Sequence, residues 1–327
     1  MPPIAQNLPA AAKPGRGTIR APRGMARGRL MREGGAMTTP HENDWASART
    51  QLVEAWADTS RAVLELTDAL TAEQAGAPTP CAEWSVRDVL AHLAAIEVEL
   101  VGGPGPRLVR RPGRSLLDDY TESGVAQRRD LPLEQVRQEY AAACATRRAT
   151  LAADPPPDPK ALPAHTPGGQ PWNWRRVLTN RVVDTWVHEL DLCVGLGRPM
   201  RWEAPAAPLF LRYAAEQLQR AAAASAAAAA TAATAPDGEP PVALPIEVVV
   251  DGAGPDGEPL RLQFVAHLPA RVVTAAGGGS VVGAAVRIDT DLPGIVGLTT
   301  SRAAFGGRVQ LHGRLAGVVA KRLLVVG

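Results

Sequence analysis

The chain is short of cysteine, of uninterrupted apolar runs and of any excess of one charge, and each shortage excludes a class of protein. Its three cysteines, Cys81, Cys144 and Cys193, are odd in number, widely spaced and without a CxxC pair. That pattern supports neither a disulfide framework nor a structural zinc finger, and it suits a reducing cytoplasm. The longest uncharged run, Ala221 to Pro236, is mostly alanine and falls short of the ~20 strongly apolar residues of a membrane span. Lys and Arg number 35 against 33 Asp and Glu, a formal charge of +2, so no global field draws nucleic acid or an anionic membrane. The expectation is a soluble, cytoplasmic protein whose partners are small molecules. Its 327 residues suggest two domains at roughly 150 residues each.

Acids are missing from the first 32 residues, where Lys13, Arg16, Arg20, Arg23, Arg27, Arg29 and Arg32 precede Glu33. Scattered Pro and Gly, with no apolar periodicity, make residues 1–42 an expected disordered basic leader. There is no apolar core for a secretory signal, although an acid-poor, Arg-rich leader formally resembles an organellar transit peptide. Its Pro and Gly would spoil an amphipathic helix, which favours Met25 or Met37 as the true start.

Beyond that point the apolar spacing turns helical. Trp45, Leu52, Trp56, Val63 and Leu66 recur at intervals near three, four and seven after a capping Asn43 or Asp44. Ser85 and Asp88 form a capping box opening a helix with Val86, Val89, Leu90, Leu93 and Leu100 on its inner face. A short helix near Leu116 to Gln127 and a long one from Pro132 through Val136, Tyr140, Ala143 and Leu151 follow. The prolines of residues 154–169 make a linker, and a fourth long helix spans about Trp172 to Val194 before Gly195 and Gly197. Four long amphipathic helices imply a bundle. The second half changes texture. An Ala-rich helix from about Pro208 to Thr234 leads into strands at PIEVVVDG, PLRLQFVAH, ARVVTA, AAVRIDTD and RVQLHG, with helices near Leu292–Arg302 and ending near Leu324. That order predicts an α+β domain with a largely antiparallel sheet.

Three polar residues stand out against this framework. Asp184 and His188 lie four apart, so one helix face presents an oxygen and a nitrogen a turn apart. His92, on the helix opened by Ser85, can add a third ligand if the two helices are neighbours, leaving positions for water or substrate. The same residues have a plainer reading. Leu178, Val182, Val183, Trp186, Val187 and Leu190 cluster on one side of the fourth helix, while Arg181, Asp184, His188 and Asp191 share the other. A solvated face with an ordinary i,i+4 pair gives that pattern too. His92 sits at the border of its apolar stripe, where it could bond a loop. His41 lies in the leader, His165 in the proline linker, and His267 and His312 at strand ends without acidic or histidine partners; they receive no role. Nothing beside Cys81 suggests a base, so it reads as a packing residue.

Two ordered motifs then resemble those of the mycothiol-dependent maleylpyruvate isomerase family, relatives of the DinB-like bundles. Pro80 to Leu93, PCAEWSVRDVLAHL, is similar to C-x-x-W-(S/T)-V-x-D-(L/V)-x-A-H-L, and Arg181 to Asp191, RVVDTWVHELD, is similar to R-x-x-E-x-x-x-H-x-x-D. The resemblance runs over about residues 44 to 326. It implies a multidomain α and α+β architecture: an N-terminal DinB-like four-helix bundle, residues 43–197, followed by a small α+β sterol-carrier-like domain, residues 198–327. It also implies a divalent metal, usually zinc, on His92, Asp184 and His188. Aspartate replaces the family's glutamate at 184 and is one methylene shorter, which questions its reach. Thr300-Ser301-Arg302 is similar to the family's small-Gly-Arg, with serine for glycine, and implies Arg302 as the group that binds a substrate carboxylate. An exposed helix-end arginine is the alternative. The ligand set can activate a thiol or water, and the resemblance selects the thiol. It implies mycothiol as the thiol cofactor and isomerase or S-transferase chemistry on a small electrophilic, maleylpyruvate-like substrate. The alternatives are a non-catalytic DinB-like binding protein with a vestigial metal site, or a metal-dependent hydrolase.

Overall fold

The computed structural model describes residues 45–233, 242–254, 257–268, 286–313 and 315–320. All elements below belong to one unit, Glu42–Gly327. The expected leader and the expected strand ARVVTA lie outside the described residues.

The helical half contains α1 (Trp45–Leu66), α2 (Ala72–Ala75), α3 (Val86–Leu100), α4 (Leu116–Ala126), α5 (Leu133–Ala153) and α6 (Trp174–Gly195). Capping explains several starts. The Ser85 hydroxyl accepts from the Asp88 amide while the Asp88 carboxylate accepts from the Ser85 amide, and Ser115 with Asp118 repeats the arrangement at α4. Thr71 and Gln74 make a third such box at α2, a turn too short for periodicity to reveal. Asn173 caps α6 by accepting from the Arg176 amide. The proline segment expected to be a plain linker holds a 3₁₀ turn at Pro167–Gly169.

Apolar stripes of α1, α3, α5 and α6 close on one another. Trp56, Val63, Val89, Leu90, Leu93, Val136, Tyr140, Val182, Trp186 and Leu190 are all buried in one cluster. At ~25 cal/mol per Å² this packing is the main source of the bundle's stability. Helix α6 is the central element, packing against α1, α3 and the next helix, α7 (Ala206–Ala233).

A second apolar cluster joins α7 to a four-stranded sheet made of β1 (Val242–Val250), β2 (Leu260–Leu268), β3 (Val286–Thr290) and β4 (Val309–His312). Leu211 and Leu218 of α7 enter this cluster, whereas Phe210 and Ala214 enter the bundle core, so one helix serves both. Strand order is β2-β1-β3-β4. The outer pairs are antiparallel, but β1 and β3 are parallel, with Ile246 opposite Val286 and Val250 opposite Thr290. The sheet is largely antiparallel, as expected, with one parallel pairing, β1 with β3, that strand patterns do not reveal because they report burial and not partner direction. Helix α8 (Leu292–Thr300), a 3₁₀ turn at Ala303–Phe305 and α9 (Ala316–Ala320) complete the described chain. His312 does have an acidic partner: its Nε2 lies 2.9 Å from Asp289 on the neighbouring strand. Among the described residues no helix is long and apolar enough to cross a membrane.

Candidate metal centre

Helices α3 and α6 bring His92, Asp184 and His188 together, with one ligand atom of each within 4.8 Å of the others. His92 Nε2 lies 3.4 Å from Asp184 Oδ2, and His188 Nε2 lies 3.8 Å from Asp184 Oδ1. Two ligands ~2.1 Å from one ion at a tetrahedral angle stand about 3.4 Å apart, the separation found between Asp184 and His92. The three are not on a solvated face. His92 is 3% exposed and His188 5% exposed, and neither ring nitrogen of His92 makes a hydrogen bond among the described residues. A buried polar group without a partner costs about 1–3 kcal/mol unless something binds it. Burial pushes the His92 imidazole below the ordinary histidine range, against the pull of Asp184, and so keeps it in the neutral form that ligates metals.

The residues around the ligands fix their charge and orientation. Burial alone would raise Asp184, but the Arg181 guanidinium outweighs it and holds the carboxyl well below the usual range. Arg181 Nη1 donates to Asp184 Oδ2 at 2.8 Å and its Nε to Glu97 at 2.9 Å. Glu97, with no exposure, also accepts from Arg147 and Trp56. Two arginines thus face two carboxylates in a neutral buried cluster. On the other side, His188 Nδ1 lies 2.9 Å from Asp191 Oδ2. Because a carboxylate only accepts, Nδ1 is the nitrogen that donates to Asp191, and Nε2 is the one turned toward Asp184. Trp84 lies over both imidazoles, with ring centroids 4.9 Å from His92 and 5.8 Å from His188, and is held by Glu122 through its indole nitrogen at 3.1 Å.

Arg302 reaches this cluster from the sheet half. It is buried, not an exposed helix-end residue: Nε donates to Asp191 at 2.8 and 3.1 Å and Nη1 to the Thr300 carbonyl at 2.8 Å. Its partner is thus the protein carboxylate that orients His188. Ser301, just before it, ends α8 at φ 59°, ψ 30°, the left-handed region that favours glycine. Cys81 also lies close, its sulfur within 4.8 Å of ligand atoms of His188 and Asp191. Burial pushes the Cys81 thiol up to about 12, with Arg302 opposing, so no thiolate forms there near neutral pH.

Sequence reasoning brought the three candidate ligands together but gave no role to Asp191, Arg181, Glu97 or Trp84. Asp191 and Arg181 each sit three residues from a ligand, a spacing that could have flagged them. Glu97 had no such signal.

Residues 56–193 match the family described as the mycothiol maleylpyruvate isomerase N-terminal domain. No curated protein matches the chain. Two solved structures are similar to it: the mycothiol-dependent maleylpyruvate isomerase, at 17% identity and a TM-score of 0.51, and a histidine-to-alanine mutant of that enzyme, at 16% and 0.50. Both alignments cover 80% of this chain and 92% of the other. At such identity the likeness establishes the fold, a helical bundle followed by a small mixed-sheet unit.

Proposed function

We propose, from the premise that residues 56–193 belong to the mycothiol maleylpyruvate isomerase N-terminal domain family, that this chain is a metal-dependent enzyme. It uses mycothiol against a small electrophilic, maleylpyruvate-like substrate. The observation that carries the reading is buried His92, whose ring nitrogens make no hydrogen bond among the described residues while its Nε2 lies 3.4 Å from Asp184 and one ligand atom of His188 lies within 4.8 Å. Two imidazoles and a carboxylate suit zinc better than calcium or magnesium, which prefer oxygen. A divalent ion bound there supplies Lewis acidity that lowers the pKa of a thiol reaching it.

The surrounding residues do the rest. His92, Asp184 and His188 would hold the ion; Arg181 keeps Asp184 ionised, and Asp191, beside His188 Nδ1, would leave Nε2 free to ligate. Trp84 excludes water from one side of the imidazoles. Arg302 is re-read as a positioning residue that acts through Asp191, linking the sheet half to the metal half. Three free cysteines fit a reducing cytoplasm.

Zinc titration followed by a thiol-transfer screen tests this. The protein should bind about one zinc per chain with His188→Ala losing it, and turnover of maleylpyruvate should need both zinc and mycothiol. A wild type that binds no zinc overturns the ligand set. Bound zinc with thiol-independent hydrolysis would replace the thiol chemistry, and bound zinc with no turnover would make the chain a binding protein.

A further inference from the structure

Between the last turn of α3 and the segment leading into α6 lies a cavity of about 320 Å³ that the metal chemistry does not use. Its wall includes Glu99, His165, Thr166, Gln170 and Trp172. Glu99 is a fixed acceptor: its Oε2 takes the Tyr120 hydroxyl and, at 3.2 Å, the Gly168 amide, while Oε1 accepts no hydrogen bond from the described residues. The Gln170 side-chain amide makes none among the described residues either, although its main-chain carbonyl accepts from Thr166 Oγ1 at 2.7 Å. Trp172 is half-buried, with the Arg176 guanidinium over its ring at 5.1 Å. An open carboxylate oxygen and an open amide beside an indole is the donor and acceptor set that a polyhydroxylated ring satisfies, its hydroxyls donating to Glu99 and its C–H face lying on the aromatic. An anionic or wholly apolar ligand would meet Glu99 with repulsion or leave it unpaired.

The cavity and the candidate ligand His92 share α3. Glu99 follows His92 by seven residues, two helical turns, so both side chains leave the same face of α3 about 10 Å apart. On α6, Asp184, Asn180 and Arg176 form an i,i+4 row that runs from the ligands back toward Trp172. A cysteinyl amide arm places five bonds between sulfur and sugar, roughly 6 Å when extended. A sulfur beside His92 and His188 therefore leaves the cavity at Glu99 and Trp172 within reach of the sugar.

We propose that this cavity holds the polyhydroxylated end of the thiol, the glucosaminyl-inositol of mycothiol; the assignment rests on the thiol-dependent reading above. Calorimetry on the full-length protein with thiol-free glucosaminyl-inositol separates the cavity from the metal. The fragment should bind, and Trp172→Ala and Gln170→Leu should each weaken it at least tenfold with unchanged thermal melts. In zinc-loaded protein the same variants should lower the preference for mycothiol over N-acetylcysteine by a similar factor and leave the N-acetylcysteine Kd where it was. No fragment binding, or undiminished binding by both folded variants, overturns the assignment. Equal wild-type affinity for the two thiols overturns the cavity alone. Fragment binding with no affinity of the zinc-loaded protein for either thiol overturns the thiol function, and with it the identity of the ligand.

Discussion

Replacing Glu97 with glutamine asks whether a buried charge cluster holds the metal-side carboxylate in place. Glu97 accepts from Trp56 Nε1 at 3.1 Å, Arg147 Nη1 at 2.9 Å and Arg181 Nε at 2.9 Å, and Arg181 passes its charge on to Asp184 at 2.8 Å. The amide keeps the shape but leaves two buried arginines against one carboxylate. Removing one partner of a buried ion pair costs about 3–5 kcal/mol, a large part of the ~5–15 kcal/mol that holds a protein folded. Trp56→Phe, which deletes one hydrogen bond to the same carboxylate, should cost only about 1–3 kcal/mol. Each kcal/mol moves Tm by about 2–4 °C in a unit of this size, so Glu97→Gln should melt roughly 6–20 °C lower. The acid limb gives a second readout. Burial would raise the Glu97 carboxyl, but Arg147 and Arg181 outweigh it and hold it below the ordinary 4.5. A depressed carboxylate contributes stability that is fully present above its unfolded value and is lost as pH falls through the folded one. Below about pH 4.5 the wild type should therefore lose stability more steeply than the variant, which has no proton to take up there. Adding Arg147→Met to Glu97→Gln restores neutrality and should recover part of the loss in a double-mutant cycle. Urea unfolding that shows less than about 1 kcal/mol for Glu97→Gln, with the wild-type acid slope intact, would refute the charge argument.

The same cluster marks where the sequence stops being legible. Helices α1, α3, α5 and α6 could be read because their apolar residues recur at helical spacing and Ser85 with Asp88 announces a start. Helix α2 carries an equally good box, Thr71 with Gln74, but one turn has no period to detect. The parallel pairing of β1 with β3 is absent from the pattern because Val248 and Ile288 look the same whichever way the neighbour runs. In α6 the polar row through Arg181, Asp184, His188 and Asp191 resembled a solvated face, yet Arg181 and Asp191 are wholly buried. Amphipathicity records how apolar a face is and not whether its polar groups satisfy one another, and α6 is enclosed by α1, α3, α7 and the Ala303–Phe305 turn. The candidate triad His92, Asp184 and His188 could be proposed from the chain because metal chemistry constrains residue type and spacing together. Glu97 was not, since a lone glutamate five residues past His92 has no pattern to share.

Smaller tests follow from individual contacts. Asp88→Ala removes the acceptor of the Ser85 amide and the partner of Arg129, 3.0 Å away, and should cost about 1–2 kcal/mol in urea unfolding; no change would show that α3 starts without its box. Ser301→Gly relieves a left-handed residue at φ 59° and should gain about 0.5–1 kcal/mol, read as a Tm rise of about 1–4 °C; a fall would mean that the serine side chain stabilises that turn. Arg302→Met tests the link between the two halves. Its Nε bonds hold both oxygens of Asp191, and Asp191 in turn fixes the proton on His188 Nδ1. Partners of a metal-ligating histidine typically account for 10- to 100-fold in metal affinity, so zinc competition with a chromogenic chelator should show a weakening of that order, with the bundle still folded by circular dichroism. Arg302→Lys restores the charge but not the geometry of a guanidinium on two oxygens, and should recover only part of the affinity. If Arg302→Met binds zinc as tightly as the wild type and weakens only the KM for an acidic substrate, the arginine serves the substrate carboxylate directly and its contact with Asp191 is incidental.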